Sequence, residues 1–287
     1  MENGLDIVFR KYTFSPDPAM DQHFLNNPDD IREIIALLEV HSEDIIFEVG
    51  AGIGTITKNI PQCRKVFAVE IEPKTFEILK KEVSALPYVE PINGDALSYI
   101  RTLKFTKLVS STPFSICEPL LQELFVLDYE KCILLLPKKF TDNVLSKSTK
   151  LGLFADAFLK ITKVREILPE SFSPVPKART MLLKVKKREL LKKEDALKSV
   201  AGLERFALAS LFQQRDKKLK NALRETLCAL LGKTKREAGS MVAAMGISTA
   251  VLSRHVENLN YSHYLKILSG LRKLTTSPLS GAPSAQN

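Results

Sequence analysis

Residues Ile45–Thr57 read IIFEVGAGIGTIT, and this stretch decides the fold. It begins with five residues of which four are β-branched or aromatic, which is typical of a strand buried on both faces of a parallel sheet. Three glycines follow at alternate positions: Gly50, Gly52 and Gly54. Such a turn lets the backbone approach a ligand closely, and residues Thr55–Lys58 can open a helix with unpaired N–H groups. By itself this spacing is equally typical of a tight turn in any α/β protein.

Two carboxylates make the glycine turn more specific. Lys65–Glu70 (KVFAVE) is a second predicted strand, and Glu70 ends it 20 residues after Gly50. A carboxylate there can accept both ribose hydroxyls of a nucleoside cofactor. Tyr88–Asn93 is a third predicted strand, after which Asp95 could hold an adenine amino group. Because Thr55 breaks the G-x-G-x-x-G spacing of dinucleotide sites, the pattern favours S-adenosylmethionine.

Strands and helices alternate along the first two thirds of the chain, as in βαβ units. The fourth and fifth βαβ strands are expected at Phe105–Ser110 and Lys131–Pro137, and a closing antiparallel pair at Phe158–Leu168 and Thr180–Lys187. A helix is expected after Asn27, and an irregular arm before Met20. We therefore predict an α/β fold: a Rossmann-like S-adenosylmethionine-dependent methyltransferase domain with a mostly parallel seven-stranded sheet, followed by a small all-α domain. The predicted divisions are 1–189, a helical basic domain at 190–275, and a disordered tail at 276–287.

Charge is unevenly distributed along the chain. The net charge is +9, but Thr180–Asn287 holds 20 lysine and arginine residues against 8 acidic ones, whereas Met1–Arg179 is slightly acidic. A basic half favours a polyanionic partner such as nucleic acid. The four cysteines and four histidines show no metal-ligand spacing, so no metal site is expected. With no signal peptide or long apolar run, we expect a cytoplasmic protein without a membrane anchor.

The predicted fourth strand is followed by the turn Ser111-Thr112-Pro113-Phe114. In an open α/β sheet, ligands bind at the carboxyl ends of the strands. A short polar side chain and a backbone carbonyl can accept the two N–H bonds of an exocyclic amine, while an aromatic ring stacks on the base. Ser111, Pro113 and Phe114 are therefore the candidate catalytic residues, and Ser111 is also expected to line the cofactor site.

A basic segment lies in the C-terminal third. Leu219, Leu223, Leu227 and Leu230 predict one apolar helix face, with Lys217, Lys220 and Arg224 opposite. Such a face is usually only solvated, but its local charge density favours contacts with phosphates. The candidate RNA-binding residues are Arg215, Lys217, Lys218, Lys220 and Arg224.

Seven motifs resemble the small-subunit ribosomal RNA adenine N6-dimethyltransferase family, in family order: QHFL (Gln22–Leu25), FEVGAGIGTIT (Phe47–Thr57), VEIEP (Val69–Pro73), GDAL (Gly94–Leu97), the STPF turn, FSPVPK (Phe172–Lys177) and LFQQRDKKLKNAL (Leu211–Leu223). The resemblance implies S-adenosylmethionine as cofactor. It assigns the cofactor to His23, Leu25, Gly50, Glu70 and Asp95, beside the glycine-turn residue Gly52. It also implies dimethylation of adjacent adenosines near the 3′ end of small-subunit (16S) rRNA, in a pre-30S-type particle, by a monomer.

Two positions depart from the family pattern. Ser111 stands where the family usually has Asn, and Ala178-Arg179-Thr180 replaces the usual Val-Asp-Ser. The shorter Ser111 side chain keeps an alternative open: a catalytically weak or inactive paralogue that acts as an RNA-binding ribosome assembly factor, or binds promoter nucleic acid. A dehydrogenase is disfavoured, since no catalytic His or Tyr-Lys arrangement is evident.

Overall fold

A computed structural model of the protein describes residues 4–276. The described chain divides into two compact units, the first formed by 4–146 and 159–187 and the second by 147–158 and 188–276. None of the described helices is long and apolar enough to cross a membrane.

The first unit contains two sheets. Its strands are β1 (Phe24–Leu25), β2 (Ile45–Val49), β3 (Lys65–Glu70), β4 (Val89–Asn93), β5 (Lys107–Ser111), β6 (Lys131–Pro137), β7 (Leu159–Ile167), β8 (Phe172–Ser173) and β9 (Thr180–Lys187). The large sheet has the order β4-β3-β2-β5-β6-β9-β7. Its first five strands run parallel, while β9 is antiparallel to both β6 and β7, so the predicted closing pair and the mostly parallel seven-stranded sheet are confirmed. Antiparallel pairing of β1 with β8 forms the small sheet.

The predicted first strand, β2, lies in the middle of the large sheet. Ile46, Phe47 and Val49 are fully buried because neighbouring strands and covering helices surround them. The carboxyl ends of β2, β3 and β5 lie at the same edge, which brings the segments that follow them together.

Helices of the first unit are α1 (Gly4–Lys11), α2 (Pro28–Leu38), α3 (Pro73–Glu82), α4 (Ala96–Tyr99), α5 (Cys117–Glu123) and α6 (Lys138–Leu145). The predicted start of α2 is confirmed. Asn27 caps it by accepting the backbone N–H groups of Asp29 and Asp30 at 2.9 and 3.3 Å.

The N-terminal arm was wrongly expected to be irregular throughout, because α1 is helical. Pro16 and Pro18 lie after this helix and restrict only the residues near them. Leu5 is buried in a cluster that includes Phe24 and Ile53, so tertiary packing stabilises a short amphipathic helix.

A second expectation, a helix opening at Thr55–Lys58, is also wrong. The chain forms only a single 3-10 turn at Thr57–Asn59, and Ile60 is extended with a ψ of 122°. Pro61 explains this outcome, since a proline disfavours the helical conformation of the residue before it.

The second unit is helical: α7 (Lys150–Phe158), α8 (Lys193–Ala196), α9 (Val200–Gln213), α10 (Leu219–Leu231), α11 (Lys235–Ala244), α12 (Thr249–Leu252) and α13 (Tyr261–Thr276). Phe154 of α7 contacts Phe212 and Tyr264, with ring centroids 5.3 and 5.1 Å apart. Helix α7 thus packs in the second unit, although its sequence lies within the segment 1–189 assigned to the first predicted domain. Residues 277–287 of the predicted tail lie outside the described residues.

Candidate active site

The glycine turn after β2 has a backbone that only glycine adopts easily. Gly50, Gly52 and Gly54 have φ angles of +67°, +59° and +85°. A Cβ atom at Gly52 would lie 3.0 Å from the ring of Phe24, and one at Gly50 would lie 3.3 Å from Cδ of Pro113. The turn therefore presents bare backbone to the space beside it.

Glu70, at the end of β3, is fastened to that turn. Its Oε2 accepts the N–H of Gly52 at 2.8 Å, and its Oε1 accepts the N–H of Glu72 at 2.9 Å. The residue is 8% exposed. Burial raises the pKa of Glu70, while the two backbone hydrogen bonds act in the opposite direction. The two hydrogen bonds fix the carboxylate in place. Because each oxygen keeps a second lone pair, it can still accept hydrogen bonds from hydroxyl groups.

Glu48 is a second buried carboxyl, and it was not among the site residues predicted from the sequence. It is 2% exposed on β2, and Thr57 donates a hydrogen bond from Oγ1 to its Oε2 at 2.6 Å. Burial raises the pKa of Glu48 to about 8, and the negative charge of nearby Glu70 adds to the rise. The hydrogen bond from Thr57 acts in the opposite direction. A single charged residue within the apolar run IIFEV was the available signal.

A cleft opens at this edge of the sheet and encloses about 1020 Å³ free of protein atoms, its mouth included. All seven predicted cofactor residues line it: His23, Leu25, Gly50, Gly52, Glu70, Asp95 and Ser111. Asp95 also caps α4, where its Oδ1 accepts the N–H of Leu97 at 2.9 Å.

The turn after β5 borders a second, smaller cavity of about 360 Å³. The three predicted catalytic residues Ser111, Pro113 and Phe114 line it, with Phe114 41% exposed. Leu135, Phe172, Pro176 and Thr180 complete the wall, and these the sequence analysis did not assign to the catalytic site. For Phe172 and Pro176 the available signal was the FSPVPK motif, which is held in place by the pairing of β1 with β8.

Both cavities share a wall formed by Asp21, His23, Ser111 and Pro113. His23 Nδ1 lies 2.8 Å from the carbonyl oxygen of Pro174, which links the β1 segment to the proline loop. The cofactor-sized cleft and the smaller cavity therefore meet at the Ser111–Pro113 turn.

Hydrogen bonds hold this turn against the sheet. The N–H of Thr112 donates to the carbonyl oxygen of Leu135 at 3.2 Å. Its Oγ1 donates to Ser110 Oγ at 3.0 Å, and Ser110 Oγ donates to the carbonyl oxygen of Val49 at 2.9 Å. The turn is thus tied directly to the strand that carries the glycine loop.

The five predicted RNA-binding residues lie in the second unit, around the start of α10. Arg215, Lys218 and Lys220 are exposed. Lys217 is partly buried and donates to Glu225 at 2.6 Å. Arg224 is also partly buried, and its Nε is enclosed with no hydrogen-bond partner among the described residues. The apolar face of α10 is buried as predicted, but the five cations differ in how much charge they offer to solvent.

Comparison with known proteins shows the family to which the chain belongs. Residues 15–246 match the sequence model of the family described as "Ribosomal RNA adenine dimethylase". The chain is 30% identical over 243 residues to the "Probable ribosomal RNA small subunit methyltransferase A" of Pyrococcus furiosus, covering 83% of this chain and 85% of that protein. It is 31% identical over 236 residues to the same-named protein of Methanosphaera stadtmanae, covering 78% and 82%.

Solved structures share the fold. A dimethyladenosine transferase from Plasmodium falciparum superposes with a TM-score of 0.57 at 24% identity, covering 88% of this chain and 98% of that one. The 23S rRNA methyltransferase ErmE gives a TM-score of 0.55 at 18% identity, covering 87% and 99%. With the family match spanning most of its length, this chain belongs to the ribosomal RNA adenine dimethylase family of methyltransferases.

Proposed function

We propose that this protein transfers methyl groups from S-adenosylmethionine to N6 of two adjacent adenosines near the 3′ end of small-subunit rRNA, giving N6-dimethyladenosine. The observation that carries the proposal is the junction of two cavities at Ser111–Pro113. One cavity is lined by carboxylates that can accept the hydroxyl and amino groups of a nucleoside cofactor, and the other is lined by the Ser111 hydroxyl and the Phe114 ring, which suit an exocyclic amine and its base.

The residues of the large cleft fit S-adenosylmethionine. Glu70 is oriented to accept the ribose hydroxyls, and Asp95 lies where it can accept the adenine amino group. Gly50 and Gly52 let the glycine turn keep its left-handed backbone while Pro113 and Phe24 pack directly against it. His23 and Leu25 complete the proposed cofactor site from the β1 segment.

The cofactor, when bound, supplies a methyl group already activated by a positively charged sulfur, so the protein needs no covalent nucleophile. The work left to the chain is alignment of N6 with that methyl group in a site that excludes water. The Ser111 hydroxyl accepts one N6–H bond, which favours electron density on the attacking nitrogen. Phe114 stacks on the base, and Pro113 fixes the turn between the two cavities. The target adenine must leave its stack to reach this pocket.

Binding of rRNA is assigned to the basic second unit. Arg215, Lys218 and Lys220 are exposed and can meet phosphates, Arg215 from its position over the Phe212 ring, whereas Lys217 must give up its pairing with Glu225 to do so. We place the protein in the cytoplasm as a monomer acting on an assembling small-subunit particle, which would present unpaired adenines near its rRNA 3′ end.

The test is methyl transfer to small-subunit particles that lack the modification, with labelled S-adenosylmethionine and nucleoside analysis of the rRNA. We expect dimethyladenosine from the wild type, and loss of nearly all transfer in Ser111→Ala. Ser111→Asn should keep or raise the rate if both side chains serve as N6–H acceptors. Exposed Ser84→Ala, far from both cavities, is the matched control.

A wild type that methylates nothing would refute the proposal. Activity gained only in Ser111→Asn would favour the alternative of an RNA-binding assembly factor that has lost catalysis. Calorimetric binding of S-adenosylmethionine by the same samples separates a missing cofactor from a misplaced base.

A further inference from the structure

Asp21 occupies an unusual position at the junction of the two cavities. It lines the cofactor-sized cleft and the smaller cavity alike. Its backbone is left-handed, with a φ of +57°, a conformation that Asp tolerates better than most residues. Oδ2 of Asp21 accepts the backbone N–H of Ser115 at 3.2 Å, which fixes the carboxylate against the turn that carries the predicted catalytic residues.

No other side chain in the shared wall is a carboxylate. Of its four members, Pro113 has no polar side chain, and His23 uses Nδ1 at the Pro174 carbonyl. Glu48 and Glu70 line only the large cleft. Oδ1 of Asp21 has no hydrogen-bond partner within the described part of the chain.

The charge of Asp21 reaches the neighbouring helix. Burial, and after it the Asp21 carboxylate, raises the pKa of the Cys117 thiol to about 12. The half-buried carboxylate therefore lies close enough to the start of α5 to act on it electrostatically.

Methylation of an exocyclic amine creates a need for such a group. The nitrogen lone pair forms the new N–C bond while the C–S bond breaks and its electron pair stays on sulfur. The nitrogen then carries a positive charge until it loses one of its protons. Ser111 offers a neutral hydroxyl to N6, so a nearby anion would stabilise the developing charge and take the proton.

Resting on the proposed function, we propose that Asp21 is a further catalytic residue, whose Oδ1 accepts an N6–H bond of the target adenine and the proton released at each methyl transfer. The proton passes from N6 to the carboxylate and from there to solvent through the open cleft. Asp21, in place of the backbone carbonyl expected from the sequence, thus supplies the second acceptor for an amine that Ser111 binds on one side.

The two methyl transfers depend on Asp21 to different degrees. After the first transfer N6 keeps only the hydrogen that faced Ser111, and rotation about the C6–N6 bond brings this hydrogen to the stronger, charged acceptor. The methyl group then lies toward Ser111. Loss of the Asp21 charge should therefore slow the second transfer more than the first, and monomethyladenosine should accumulate.

The experiment measures methyl transfer and the ratio of monomethyl to dimethyl product for Asp21→Asn on unmodified small-subunit particles. Asn keeps an oxygen for the Ser115 N–H but has no charge. We expect the rate of methyl transfer to fall by about ten- to a hundredfold or more. The monomethyl fraction of the product should rise. The dissociation constant of S-adenosylhomocysteine, which lacks the positive sulfur, should stay within about threefold of the wild-type value. This limit corresponds to a change of less than about 1 kcal/mol in binding free energy.

Two further variants secure the interpretation. Asp21→Gly suits a φ of +57° and so keeps the fold without any carboxylate, and it should lose at least as much activity as Asp21→Asn. Asp17→Asn alters an exposed carboxylate four residues earlier, outside both cavities, and should match the wild type.

Wild-type rate and product ratio in Asp21→Asn would overturn this inference and leave Asp21 as a tie to Ser115. An inert wild type would overturn the proposed function, and this inference with it. A rate loss with an unchanged product ratio would also contradict the assignment, because a displaced turn slows both transfers alike.

Discussion

Glu48→Gln offers a direct test of how the site is built. Gln has nearly the same shape as a protonated Glu, and its amide oxygen can accept the Thr57 hydrogen bond that Glu48 Oε2 accepts at 2.6 Å. The substitution therefore removes one titration from the buried strand without opening a cavity. We expect the variant to fold and to be more stable than the wild type near neutral pH.

The magnitude follows from the two pKa values of Glu48. Burial raises the folded value to about 8 from an ordinary value of 4.5. Below pH 4.5 the carboxyl is neutral in both states, and the folded protein suffers no penalty from it. As the pH rises, the unfolded state ionises first, so stability falls until the folded carboxyl also ionises near pH 8. At about 1.36 kcal/mol per pH unit, the loss between about pH 5 and about pH 7 is roughly 2.5 kcal/mol.

Urea unfolding of wild type and variant, without cofactor and at several pH values, measures this difference. The free energy of unfolding of Glu48→Gln should exceed that of the wild type by an amount that grows with pH. Glu43→Gln, at an exposed carboxyl just before the same strand, is the matched control. A difference that stays constant within about 0.5 kcal/mol over this range would show that Glu48 is ionised in the folded protein.

Three further outcomes are expected. Glu70→Gln should weaken calorimetric binding of S-adenosylmethionine by roughly 1.5–3 kcal/mol, because a charge-assisted acceptor is lost, and unchanged binding would contradict the proposed ribose contact. Replacing Arg215, Lys218 and Lys220 together by Ala should reduce the slope of log affinity for rRNA against log salt concentration by about two to three units. The control triple, exposed Lys233, Lys235 and Arg236 replaced by Ala, should change this slope less. Thr234→Ala removes the bond that Thr234 Oγ1 accepts from the N–H of Glu237 and should lower the free energy of unfolding by about 1 kcal/mol, whereas an equally stable variant would show that this half of the capping box is dispensable.

Elements dictated by local pattern were predictable from the sequence. The bounds of β2, β3, β6 and β9 were predicted to the residue, because each contains a run of apolar residues, many of them β-branched or leucine, that is bounded by polar residues, glycine or proline. The start of α2 followed from its cap. Helix α1 was missed because its stability comes from contacts with Phe24 and Ile53, which no local pattern reveals.

The candidate site divides in the same way. Glu70 and Ser111 could be singled out because parallel strands end at one edge of the sheet, so their positions follow from strand order alone. Asp21 and Thr180 could not, since they reach the site through the β1–β8 pair and the antiparallel β9. Their part in the wall depends on contacts between segments about 150 residues apart in the chain.

The place of β9 between β6 and β7 constrains the order in which the chain can fold during its synthesis. Strand β7 is made before β9 but has its partner only in β9, so it stays without a neighbour until residue 180 and its successors have emerged. The hydrogen-bonding edge of β6 stays open over the same interval. This late stretch also contains β8, which pairs with the β1 segment. It ends with Thr180, which lines the smaller cavity. A nascent chain interrupted before β9 would therefore carry the glycine loop and the whole parallel part of the sheet, yet leave the edges of β6 and β7 unpaired and the smaller cavity without its Thr180 wall.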